Sequence, residues 1–467
     1  MRNKNVVVPG LLVEDYAAEG MAINKSTGKV IFIAGAVPGD VVDVRLSKSK
    51  KDWAEGKAVH FHSYSDDRVD SFCQHFGVCG GCKWQMLPYE KQLQYKQQET
   101  EQNLKRIGKI NLPPFQPILG CEETSHYRNK LEFTFSNKRY LLPEEIQRAE
   151  NIEQENALGF HVPRLFDKVI DIETCHLMQE PVNKIKNTIR SFAKENNYSF
   201  YDIREHHGWL RTLIIRIVST EEIMVNVCFG HENKEQREAL FTHLMKEVPQ
   251  ITTLLYTINP KKNDTIYDLE PVAWHGPGYI IEKLEGLSFK IGPKSFFQTN
   301  SKQAEKLYQV TREFAELTGN EIVYDLYCGT GSIGLFVSEK AKKIIGVEVV
   351  KEAIDDAKLN AQLNKIEHAS FFAGDVIDIC DDQFFKKHGQ PDVIITDPPR
   401  AGMHDKLVQK ILDMEAPTVV YVSCNPATQA RDLQKLDAKY EVTKVRPVDM
   451  FPHTHHIENV VQLKLRK

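Results

Sequence analysis

From about residue 320 onward, short β-branched apolar runs alternate with longer stretches whose apolar positions recur at helical spacing. The runs are Glu321 to Leu326, Lys343 to Glu348, a third closed by Gly374-Asp375, Asp392 to Thr396 and Thr418 to Val422, then about Glu441 to Val448 and Asn459 to Lys464. This alternation predicts a doubly wound, Rossmann-like α/β sheet, preceded by a helix from about Ser301 to Leu317. Upstream, roughly 122 to 290 reads as α+β. Its strands are expected near Asn129 to Ser136, Leu210 to Val218 and Ile223 to Phe229, and its helices near Pro181 to Asn197 and Glu235 to Lys246. Leu87 to Gly108 has the pattern of a polar amphipathic helix leading into that region. At the N-terminus, Asn5 to Val8, Lys29 to Ala34 and Asp40 to Leu46 are strand-like pieces separated by Gly and Pro, as in a small β-barrel. The expected division is 1–65, 66–290 and 291–467.

Composition changes this picture little. A chain of 467 residues exceeds a single core, and 41% hydrophobic with 27% charged residues is ordinary for a globular protein. The net charge of -4 argues neither for nor against a nucleic-acid partner, which would need a local basic surface. No apolar run approaches a membrane span and Met1 to Gly20 lacks a signal-peptide core, so a cytoplasmic chain is expected. In such a chain, nine cysteines point to metal or catalysis rather than disulfides. Nothing in the chain demands a protein partner.

The chemistry gathers at the predicted carboxyl ends of the sheet strands, where open α/β sheets bind ligands. Asn425-Pro426 stops the run Thr418 to Val422, leaving Cys424 at the strand end, where a thiol is either a nucleophile or a buried structural residue. Tyr327-Cys-Gly-Thr-Gly-Ser-Ile-Gly334 enters a helix, and Glu348 ends the next strand where a carboxylate can bind ribose hydroxyls. The glycine spacing literally fits a dinucleotide fingerprint, so a dehydrogenase is one reading. Asp325 ahead of the loop and Asp375 after the third strand favour S-adenosylmethionine instead. Asp397-Pro-Pro-Arg400 forms a rigid turn that positions Asp397 and Arg400.

A hairpin closing the sheet would return Glu458 to the Cys424 edge, and the intervening His453, His455 and His456 lack zinc-protease spacing. Cys73, Cys79 and Cys82 flank Gly80-Gly81, and with Cys175 as fourth ligand they suit zinc or an iron–sulfur cluster, which softness cannot separate. Ser47 to Lys51 is a basic loop or a solvated hairpin tip, and Tyr127-Arg-Asn-Lys130 an RNA-facing edge or a capped strand start. Residues 143–156 read as a solvated hairpin or insertion.

In this order, the motifs together resemble the RNA uracil-C5 methyltransferases of the RumA/RlmD type, which act on 23S ribosomal RNA. The resemblance spans nearly the whole chain: Gly35 to Val42 is similar to a TRAM module, and Phe296-Phe-Gln298, Asp325 to Ser332, Asp397 to Arg400, Ser423 to Pro426 and Glu458 match the catalytic half. It implies a class I S-adenosylmethionine-dependent methyltransferase domain behind an OB-like, RNA-binding TRAM barrel. It also implies a [4Fe–4S] site at Cys73, Cys79, Cys82 and Cys175 in the central domain, and cofactor contacts at Gln298, Tyr327, Ser332, Glu348, Asp375 and Asp397. By the same resemblance Cys424 is the nucleophile and Glu458 the base. The rivals are an amino-group methyltransferase, a transfer-RNA uracil methyltransferase and an inactive RNA-binding iron–sulfur protein. The TRAM-like barrel and the cysteine set favour the ribosomal type over the transfer-RNA enzymes of the related bacterial family.

Overall fold

In the computed structural model, which describes residues 6–148 and 155–467, the C-terminal half is built on a seven-stranded sheet. Its strands are β1 (Ile322–Leu326), β2 (Lys343–Glu348), β3 (Ala369–Ala373), β4 (Val393–Thr396), β5 (Thr418–Ser423), β6 (Tyr440–Val448) and β7 (Glu458–Leu465). They lie in the order β3-β2-β1-β4-β5-β7-β6, the first five parallel and β7 antiparallel to both neighbours. The order reverses between β1 and β4, which opens a crevice at the strands' carboxyl ends. Every residue of β5 is buried, as expected for a central strand covered on both faces by helices. Register places Ser423 opposite Asn459 and Val448 opposite Glu458, so the loop between β6 and β7 returns the chain to the crevice at Glu458.

Two further sheets precede this one. Val7–Leu12, Asp15–Ala17, Met21–Asn24, Val30–Ala34, Val41–Ser49 and Trp53–Ser63 form a six-stranded sheet around Leu11, Ile31, Ile33, Val42, Val44 and Ala54. The long last strand is not anticipated by its sequence, because Gly56 and the charged Glu55 and Lys57 break the apolar alternation. Of the expected basic loop, Ser47 to Ser49 belong to a strand, and Lys48 covers the Trp53 ring at 4.5 Å. The central seven-stranded sheet includes Lys130–Ser136, Leu210–Ile217 and Ile223–Phe229. Helices Val182–Glu195 and Lys234–Glu247 pack their apolar stripes, including Ile185, Ile189, Leu240 and Leu244, against that sheet. In the acidic stretch Pro143–Arg148 is helical rather than a hairpin, and 149–154 lie outside the described residues.

Helix α1 (Tyr89–Asn103) continues into a π-helical turn at Leu104–Gly108. It lies against the C-terminal half: Leu104 is fully buried in a core with Tyr324, Leu326, Val419 and Leu433. Its buried face is polar, formed by Gln92, Lys96 and Thr100, spaced one turn apart. Among the described residues no helix is long and apolar enough to cross a membrane.

Candidate active site

The glycine loop follows β1 and bends through left-handed backbone at Tyr327 (φ 61°), Gly329 (φ 52°) and Gly331 (φ 77°) before helix α2 (Ser332–Val337). That bend carries a backbone N–H to each of two carboxylates. Gly334 donates to Asp325 Oδ2 at 2.8 Å and Gly329 to Glu348 Oε2 at 3.3 Å, while the other Glu348 oxygen accepts from Val350 at 3.0 Å. A Cβ on Gly334 would sit 2.9 Å from the Asp325 carboxylate, so only glycine allows this approach. Asp325 Oδ1 is buried without a partner, and burial pushes the carboxyl up to about 7. An oxygen in that state still lacks a hydrogen-bond donor.

Beside it, Tyr327, Glu348, Val349 and Asp375 line a cavity of about 370 Å³ at the carboxyl ends of β2 and β3. Asp375 also caps the next short helix through Ile377 N–H at 2.8 Å. Ser332 shares a 3.0 Å hydrogen bond with the buried Tyr308 hydroxyl. Gln298 sits on a segment fixed from the central sheet, where the Asn129 amide donates to Gln298 O at 2.9 Å and Asn129 N–H to Thr299 O at 2.8 Å. Asn129 therefore acts as a strut to the crevice, and Tyr127 likewise donates to Pro452 O at 3.0 Å. The Asn129 amide nitrogen and the Tyr127 hydroxyl are thus both spent on contacts within the protein.

Cys424 is half-buried where β5 meets helix α3 (Pro426–Leu436). Asn425 caps that helix, accepting from Ala427 N–H at 3.1 Å, and donates to Arg400 O at 3.1 Å. Further along α3, Asp432 accepts from Met403 N–H and from the Tyr421 hydroxyl, both at 2.8 Å, so the Asp397–Gly402 turn is fastened to the helix that starts after Cys424. Burial pushes the Cys424 thiol up to about 12, with the nearby Glu458 and Asp397 charges adding to the rise and Arg400 opposing it. At rest the Cys424 side chain is therefore a thiol, which a base would have to deprotonate before it could act as a nucleophile. Burial raises Glu458 well above the usual carboxylate range, and Asp397 raises it further; burial likewise raises Asp397. Sequence reasoning located these three groups and singled out Asn129 as part of an RNA-facing edge or a capped strand start rather than as a brace; it missed Asp432, which carries no motif.

The loop from Asp449 to Ile457 is held from outside the sheet. Lys96 Nζ meets Asp449 Oδ1 at 2.6 Å with both side chains fully buried, and donates to Phe451 O at 3.1 Å. Gln92 Oε1 accepts from His453 N–H at 2.7 Å, and Trp84 N–H from the cysteine loop donates to His453 O at 3.0 Å. Burial drives His453, His455 and His456 down to about 4, 3 and 4, so all three are neutral near pH 7.

Residues 73–82 lie on the segment carrying Cys175: Glu173 N–H donates to His75 Nε2 at 3.2 Å, and Cys175 N–H to Asn183 Oδ1 at 2.8 Å. Burial pushes Cys79 and Cys82 up to about 12 and 11, and Cys73 and Cys175 add to both shifts. The four thiols thus feel one another. Even so, among the described residues no three His, Cys, Asp or Glu side chains are placed to hold a single metal ion.

Comparison with known proteins adds to this geometry. Residues 278–466 match the family model of tRNA (uracil-5-)-methyltransferases, and residues 3–59 that of the TRAM domain. An RNA methyltransferase of Bacteroides thetaiotaomicron is 56% identical over 455 residues, 96% of this chain and all of the relative. One from Porphyromonas gingivalis is 52% identical, covering 97% of this chain and 98% of its own. The crystal structure of Pyrococcus abyssi tRNA (uracil-54, C5)-methyltransferase with S-adenosyl-L-homocysteine superposes with a TM-score of 0.76 at 27% identity, over 98% of this chain and all of the other. A transfer-RNA enzyme can therefore share this whole-chain architecture, so the architecture alone does not assign the substrate to ribosomal RNA.

Proposed function

The chain belongs to the RNA uracil-5-methyltransferase family, and from that membership we propose that it methylates C5 of a uridine through a covalent Cys424–C6 adduct. The observation that carries the reading is the convergence of Cys424, Asp397 and Glu458 at one strand-end crevice. S-adenosylmethionine, when bound, supplies an electrophilic methyl group. Its site fits what is present: the unpartnered Asp325 oxygen can take the ammonium, and Glu348 and the Tyr327–Asp375 cavity the ribose and adenine. We assign further cofactor contacts to Gln298, Ser332 and Asp397.

Uracil C5 is a weak nucleophile. Once Cys424 has lost its proton to a neighbouring carboxylate, its sulfur adds to C6, and C5 becomes an enolate-like carbon that can accept the methyl group. The adduct retains the C5 proton. Glu458 removes it, the electrons re-form the C5–C6 double bond, and the Cys424 sulfur leaves. A carboxylate with a raised pKa is the better base for this step at neutral pH.

The target uridine must leave its stack to reach Cys424. We assign the grip on flanking RNA to the domains over 1–65 and 66–290, and catalysis to 291–467. The four thiols Cys73, Cys79, Cys82 and Cys175 would hold a [4Fe–4S] cluster, which is wider than a single ion and would brace the loop without redox turnover. Its loss on chelation should lower RNA affinity and leave cofactor affinity unchanged. We take the chain to act in the cytoplasm, with 23S ribosomal RNA as its substrate and no obligate protein partner. Transfer RNA is the second reading, favoured by the Pyrococcus structure.

The test uses 5-fluorouridine-substituted 23S fragments and tRNA with S-adenosylmethionine, resolved on a denaturing gel. Fluorine cannot leave as the proton does, so the protein should be trapped on its true substrate, and Cys424→Ala should give no band. Methylated RNA formed without a trapped complex would overturn the covalent route.

A further inference from the structure

We propose that Lys96 is a positioning residue for the base: its buried ion pair with Asp449 sets the entry of the chain into Glu458. The proposal rests on the reading of Glu458 as the carboxylate that resolves the adduct. Asp449 follows Val448, and Val448 is the cross-strand partner of Glu458. The ion pair therefore sits one residue from the position that fixes Glu458 in register.

The ammonium does two jobs there. It neutralises the Asp449 carboxylate at 2.6 Å, and it donates to the Phe451 carbonyl at 3.1 Å, pinning the first turn of the loop. Asp449 is committed on every side, since Oδ1 also accepts from Phe451 N–H at 2.9 Å and Oδ2 from the Tyr89 hydroxyl at 2.9 Å. Gln92, one turn before Lys96, holds His453 N–H at 2.7 Å. The polar stripe of α1 is thus a template for the loop's backbone. A buried ion pair contributes little net stability compared with apolar packing and is better suited to selecting one geometry.

No side chain of α1 bonds to the groups that hold the nucleophile. Asn425 caps α3 and Asp432 ties the Asp397–Gly402 turn, both within the C-terminal half. Beyond Glu458, Asn459 is fixed separately by Gln429 at 2.7 Å, so β7 stays in place when the ion pair is lost. What loses support is the approach from Val448 to Glu458. Removing Lys96 should slow proton removal and spare the earlier addition and methyl transfer.

The experiment follows single turnovers of the full-length protein on natural RNA with S-adenosylmethionine. Methyl incorporation and covalent complex are measured separately for wild type, Glu458→Gln, Lys96→Met and Lys96→Met/Asp449→Asn. The double variant removes both charges, while the amide introduced in place of the carboxylate can still accept from Phe451 N–H and bond to Tyr89. Lys96→Met should transfer methyl within about threefold of wild type yet clear the adduct about tenfold or more slowly, part of the gain from a well-placed base. The double variant should recover most of that rate. If Glu458→Gln accumulates adduct and Lys96→Met clears it at the wild-type rate, the positioning role is wrong and the base reading stands. If Glu458→Gln does not accumulate adduct, the base reading itself fails. Should Lys96→Met not fold, Gln92→Ala replaces it. Equal loss of methyl transfer and resolution in Gln92→Ala, or in Lys96→Met, would make the contact a general structural tie and overturn the proposal.

Discussion

Cys424 and Glu458, the proposed nucleophile and base, lie at the ends of neighbouring paired strands but are held there by different kinds of contact. Cys424 is placed locally, by the end of β5, the Asn425 cap and the first turns of α3, all within a dozen residues. The loop that leads into Glu458 is held remotely, by residues of α1 and the cysteine loop more than 350 positions earlier in the chain, such as Lys96 with Asp449 and Gln92 with His453. Local placement resists loss of distant structure. Remote placement ties the geometry of that loop to how the N-terminal segments dock.

This contrast can be broken from the nucleophile side first. Cys424→Ala should abolish methylation and RNA trapping while leaving cofactor affinity unchanged, checked by methyl incorporation and calorimetry. The next largest effect is on stability. Asp432→Ala leaves the buried Met403 N–H and Tyr421 hydroxyl without their acceptor, and should cost about 2–4 kcal/mol in denaturant unfolding. Activity should fall with it, since the Asp397–Arg400 turn loses one of its anchors. Asn425→Ala removes one helix cap and should cost about 1 kcal/mol, with Asn425→Gly costing only a few tenths.

The base side also has a pH signature. Burial holds His453 near 4 when folded, against about 6.5 unfolded, so the unfolded chain binds a proton first as pH falls. The stability contributed by neutral His453 is complete above about pH 6.5 and is lost progressively down to about pH 4. His455 and His456 shift the same way. Asp325, raised to about 7, opposes them: its contribution is greatest at acid pH and falls as pH rises through the range from about 4 to about 7. His453→Gln should therefore flatten the acid limb of the stability profile, seen as a smaller drop in Tm between pH 6.5 and 4.5. This is the smallest of the expected effects.

The same contrast explains what the sequence discloses. Cys424 is legible because a β-branched run, a cap and a proline punctuate it within ten residues. Glu348 and Asp397 stand where strands visibly end, and the strand-helix alternation gives the sheet before any coordinates. The TRAM match over 3–59 and the strand ends near Leu326, Glu348 and Thr396 agree with those expectations. Lys96 and Gln92 are illegible because a helix's buried face is normally read from apolar spacing, and here that face is polar. Their partners, Asp449 and His453, sit in a loop with no periodicity. Trp53–Ser63 is hidden for a related reason: its buried face carries only the small Ala54, Gly56 and Ala58 between charged residues, and pairing with Val30–Ala34 and Val41–Ser49 decides its conformation.

The most direct test of the division of labour between the two sides is Glu458→Gln with natural RNA and S-adenosylmethionine, quenched in denaturant and analysed by mass spectrometry. The account predicts a Cys424-linked RNA that already carries the methyl group and persists while wild type releases free product. Free methylated RNA released at the wild-type rate, with no linked species, would contradict it.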